Sequence, residues 1–115
     1  MKRRELLLAG ASALAAALLP RRAEARIVTA TWVHTSLAGG TTACGSAWTN
    51  TAMEVASRTH RCGTRLRLTN VRNGATIVVR VTDYSPNSAL DLTRNAFSHL
   101  APPSQGTVQV RVQIL

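Results

Sequence analysis

Two aspartates, Asp83 and Asp91, lie eight residues apart in the segment VTDYSPNSALDLT, residues 81–93. The chain has only five acidic side chains against fourteen basic ones, so two carboxylates this close stand out. A carboxyl pair is standard equipment for acid–base chemistry at a glycosidic bond. Both residues also have plain structural uses. Asp91 is placed to cap a helix beginning at Leu92, and Asp83 to close an Asx-turn ahead of Pro86.

The other chemistry-bearing side chains are few. Glu54 lies in TAMEVAS, residues 51–57, which reads as one or two helical turns with the carboxylate exposed. It is a possible substitute acid. His34, His60 and His99 show no metal-ligand spacing. Trp32 and Trp48 are the only tryptophans, and either ring can stack on a sugar, although Trp32 sits in an apolar run that reads as core. Cys44 and Cys62 are the only cysteines. In an exported chain an even count reads as a disulfide. The alternatives are a reactive thiol pair or half of a metal site.

Export is itself legible. MKRR is a positive leader, residues 6–19 form a short apolar run broken by Pro20, and Ala23-Glu24-Ala25 is a cleavage signal. The run is too short to span a membrane. Residues 1–25 therefore read as a secretory signal peptide, with a twin-arginine route left open by Arg3-Arg4. No cysteine follows the apolar run to take a lipid, so no stable membrane anchor is expected after cleavage. Residues 26–115 carry nine arginines, no lysine and three acids, a net charge of +6. That balance favours anionic partners. Export turns the expectation away from nucleic acid and towards a wall glycan, in the periplasm or at the cell surface.

The elements that must position these groups follow from periodicity. Residues 27–33 (IVTATWV) read as a strand, and residues 35–50 as a Gly/Ser/Thr/Ala-rich loop. TRLRLT (64–69) alternates arginine and leucine as a half-buried strand does. NVRNG (70–74) ends in Asn-Gly, a hairpin signal, and ATIVVRVT (75–82) returns. LTRNAFSHL (92–100) has helical spacing and stops at Pro102-Pro103. TVQVRVQI (107–114) is a last alternating strand. Ninety residues make one small, mainly β domain, and barrel closure would hide its strand edges.

The ordered set TATW, GTTACG, ASRT-x-x-CGTRLRLTNVRNG, VVRVTD, LDLTRNAF and VQVRVQIL resembles the rare lipoprotein A (RlpA) family over nearly all of residues 28–115. The resemblance implies a six-stranded double-psi β-barrel with one or two short helices, related to expansins and barwin-like proteins. It also implies lytic transglycosylase activity on peptidoglycan, with no cofactor or metal, as a monomer. Such an enzyme uses the sugar's own C6 hydroxyl as nucleophile, so one carboxylic acid can serve as acid and then base. By resemblance Asp91 and Asp83 are the catalytic pair. Ser46 stands where the family has a functional glutamate, and Ser57 where it has a functional histidine. Ser85 replaces a glycine. His60, three residues beyond Ser57, is a possible replacement imidazole. Ser46, Ser57, Trp48 and Arg58 are the expected substrate-binding residues. Arg65 and Arg67 either extend that groove or form a solvated strand face. Two rival readings accompany this one: a non-cleaving, expansin-like wall-binding module, and a secreted inhibitor or effector using the barrel as scaffold.

Overall fold

The computed structural model describes residues 26–33 and 40–115. The signal-peptide expectation and His34 lie outside the described residues. Six strands form a closed barrel: β1 (Ile27–Trp32), β2 (Glu54–Ala56), β3 (Arg65–Asn70), β4 (Thr76–Asp83), β5 (Leu90–Leu92) and β6 (Val108–Ile114). Around the barrel they run β1-β5-β2-β4-β3-β6, closing on β1. Pairs β1–β5 and β2–β4 are parallel and the other four antiparallel.

The long strands obey the alternation seen in the sequence. Leu66 and Leu68 of β3 point inward, as do Ile77, Val79 and Val81 of β4 and Val108, Val110 and Val112 of β6. Arg65, Arg80 and Arg111 take the outer face. A one-residue slip would bury guanidiniums and expose the leucines, so register is strongly specified. The β3–β4 hairpin turns through Gly74, whose φ of 80° is open to glycine at no steric cost.

Two expectations are corrected. Residues 51–57 do not form a helix: Glu54, Val55 and Ala56 are strand β2, paired with β4 on one side and β5 on the other. A three-residue strand is too short to show a period, and its conformation is set by the two strands that grip it. The helix expected from Leu92 starts later. It is α1 (Arg94–Ser98), and its N-cap is Thr93, whose side chain accepts from the Ala96 N–H. Leu90, Asp91 and Leu92 are strand β5, so Asp91 is not a helix cap. Phe97 and Ala96 of α1 are fully buried with Leu100, and the helix packs on β1 and β5.

The 42–47 segment is a tight turn, with Thr41 bridged to Ala47. A disulfide joins Cys44 to Cys62 across 18 residues, with the Cα atoms 5.7 Å apart. Trp32 packs at the edge of the core, its indole N–H donating to the Pro103 carbonyl at 2.9 Å.

Candidate functional site

Strand β2 brings the two aspartates together. Ala56 is the register partner of Asp91 on β5 and of Asp83 on β4, where a bulge skips Thr82. The aspartates thus flank one small residue, with Cα atoms about two strand spacings apart, roughly 9–10 Å. Thr31 extends the row on β1, opposite Asp91.

The two carboxylates have different surroundings. Asp91 is half-buried and clamped by hydroxyls: Thr31 Oγ1 donates to Oδ1, and Ser85 Oγ donates to Oδ2 at 2.9 Å. A hydroxyl can donate to an ionised carboxylate or accept from the acid, so this clamp serves both protonation states. Asp83 holds backbone instead. Its Oδ1 accepts from the N–H of Ala43 and of Tyr84, both at 2.8 Å. The Tyr84 bond is local, as an Asx-type turn would provide. The Ala43 bond ties the disulfide-bearing turn to the barrel wall.

Ser57 and His60 form a second group. Ser57 Oγ accepts from the N–H of Thr59 (3.3 Å) and His60 (3.1 Å), and lies 2.8 Å from His60 Nδ1. With both lone pairs engaged, the hydroxyl proton goes to Nδ1, which leaves the neutral imidazole proton on Nε2. Burial lowers the His60 pKa below its usual value, and the Arg26 charge adds to the effect. Ser57, Arg58 and His60 line one cavity of about 540 Å³.

Glu54 is also corrected. It lies in β2 rather than on an exposed helix, it is half-buried, and its Oε1 is enclosed with no hydrogen-bond partner among the described residues. With Ser46, Arg80, Thr82 and the disulfide it lines a second cavity of about 350 Å³. Ser46 Oγ lies 3.0 Å from Thr42 Oγ1, and so braces the turn as well. Trp48 is corrected outright: only 3% exposed, its ring has no free face for a sugar. Arg65 and Arg67 lie on β3, with Arg67 donating to Gln113 at 2.8 Å. They line neither cavity.

The sequence reading missed Thr31 as a ligand of Asp91. No local signal marks it, because the pairing joins residues 60 apart. Ser85 was singled out only as a replaced glycine.

A family model described as "Lytic transglycolase" matches residues 25–112. The chain belongs to the RlpA-like double-psi β-barrel family. Among its relatives is a probable endolytic peptidoglycan transglycosylase RlpA of Nostoc sp., 38% identical over 81 residues, which are 68% of this chain and 22% of the relative. The endolytic peptidoglycan transglycosylase RlpA of Pseudomonas aeruginosa is 33% identical over 95 residues, or 80% of this chain and 28% of that one. An uncharacterized Synechocystis protein is 36% identical over 83 residues, 72% of this chain and 91% of its own length. The chain thus spans about a quarter of the two RlpA relatives just named. A solved structure, the Streptomyces papain inhibitor, superposes with a TM-score of 0.59 at 23% identity, over 76% of this chain and 94% of that one. That likeness concerns the fold alone. The double-psi barrel expected from the RlpA-like motifs is the fold observed.

Proposed function

We propose that this RlpA-like barrel is an exported lytic transglycosylase that cuts peptidoglycan strands with Asp91 as acid and then base. The observation that carries this reading is the Asp91 clamp. One carboxyl is held on a rigid strand by hydroxyls from two other parts of the barrel, Thr31 and Ser85, in a chain with hardly any other acid. The family's lytic transglycosylase character supports it.

The steps balance without water. Protonated Asp91 gives its proton to the glycosidic oxygen as the C1–O bond breaks. The C6 hydroxyl of the same sugar attacks C1, and its proton passes to the Asp91 carboxylate. The product carries a 1,6-anhydro ring and Asp91 is again protonated. Asp83 acts as partner by holding the neighbouring turn in place, and its Oδ2 makes no hydrogen bond among the described residues. Export rests on the leader in residues 1–25, and the wall is the partner that suits both the leader and the +6 charge.

Incubation with purified sacculi and mass spectrometry of the released fragments tests this. Anhydro-ended fragments are expected from the wild type and none from Asp91→Asn, with sacculus binding retained. Fragments lacking the anhydro ring mean hydrolysis and end the reading. Binding without any fragments leaves a non-cleaving, expansin-like module, which the serines at positions 46 and 57 would suit.

A further inference from the structure

The 540 Å³ cavity lined by Ser57, Arg58 and His60 has a chemistry of its own. Its polar wall is cationic or hydrogen-donating: Arg26, Arg58, His60 and Ser88. Its floor is apolar, built from Val28, Leu90, Val112 and Ile114. None of the three acidic side chains of the described residues, Glu54, Asp83 and Asp91, lines it. The His60 ring is oriented by Ser57, so that Nε2 is the proton-bearing nitrogen. The cavity borders the same two short strands: Leu90 belongs to β5, and Ser57 directly follows β2.

We infer that this cavity is a carboxylate subsite that binds a small anion carried on a methyl-bearing carbon. Arginine forks and an imidazole N–H match the carboxylate, as charge-assisted donors do. The aliphatic floor suits a methyl group and offers nothing to a second charge. In a wall polymer two groups have this form: the lactyl carboxylate of a muramic acid and the C-terminal carboxylate of an alanine-ended peptide. Held here, either would anchor the glycan strand on the barrel. The inference names the substrate contact of the proposed transglycosylase and rests on that reading for its biological setting, but the binding stands on the cavity alone.

Four small probes test it by calorimetry and NMR on the purified chain. N-acetylmuramic acid is compared with N-acetylglucosamine, and N-acetyl-alanyl-alanine with its C-terminal amide. The expectation is that at least one acid binds about tenfold or more tighter than its neutral counterpart. Arg58→Gln should remove that preference. Arg58 is exposed, so a thermal melt is expected to show the variant folded. The acid should also raise the His60 pKa, because a bound anion favours the imidazolium, and the neutral probe should not. Preference for N-acetylmuramic acid assigns the lactyl source, and preference for the dipeptide acid assigns the peptide source. Equal binding of acid and neutral forms overturns the inference, as does no binding of either acid up to about 10 mM. Binding with acid preference in a chain that releases no fragments from sacculi would overturn the transglycosylase proposal and spare this one. Cleavage without acid preference would do the reverse.

Discussion

At the scale of single residues, Asp91 depends on what holds it. Ser85 is fully buried and donates to Asp91 Oδ2, so it is a positioning residue for the proposed reaction. Losing one hydrogen bond to a charged group costs about 1.5 kcal/mol or more, roughly tenfold in rate if the cost falls on the transition state. Ser85→Ala should therefore lower kcat about tenfold and leave KM unchanged, and Ser85→Thr should recover part of it. An equal loss of sacculus binding would mean that Ser85 merely supports the loop. His60 yields a second expectation. Its pKa in the folded chain is below the usual 6.5. Just below that pH the unfolded chain therefore takes up more protons than the folded one, and stability falls as pH drops. Urea midpoints measured across this window should decline in the wild type and decline less in His60→Asn. Identical profiles would show that the ring is not held neutral by its surroundings.

Among the elements, short strands position the site and long strands make the barrel. β2 and β5 have three residues each, yet their registers set Ala56 between Asp83 and Asp91. The turn bearing Ser46 is held by three independent ties: the Cys44–Cys62 disulfide, the Ala43 N–H to Asp83, and the Cys44 N–H to the Thr82 carbonyl. Constraining a loop of this length stabilises the fold by about 3 kcal/mol in the chain-entropy model. Replacing both cysteines by alanine should lower unfolding free energy by that order, measured in urea without reductant. The barrel strands carry the hydrophobic core and should still form. A drop well under about 1 kcal/mol would mean that residual structure already restrains this loop in the unfolded ensemble.

For the whole molecule, charge sets the terms of encounter. Nine arginines and three acids on residues 26–115 leave a net +6. Attraction to an anionic wall polymer then acts over about 8 Å at physiological ionic strength and shortens as salt is added. Binding to sacculi should weaken at least about tenfold between about 0.15 M and about 0.5 M salt. A pull-down indifferent to salt would place the grip in uncharged contacts instead. The same measurement on Asp91→Asn should give at least equal binding, since that change removes one negative charge.

The sequence by itself determined the parts whose signal is local. Alternation in TRLRLT, ATIVVRVT and TVQVRVQI identified three long strands, because each has one face in the core and one in solvent. Asn73-Gly74 marked the hairpin, and an even pair of cysteines marked the disulfide. The ordered RlpA-like motifs supplied the closed barrel. Only the tertiary structure decided the rest. Residues 54–56 and 90–92 are too short for a period of their own and become strands because neighbours hydrogen-bond them on both edges. That pairing withdrew Asp91 from the helix cap, passed the cap to Thr93, and brought Thr31 from 60 residues away. It also turned Glu54 into a cavity wall, and the fold of the preceding loop buries Trp48. Each of these outcomes depends on contacts between residues distant in sequence, which no window along the chain contains.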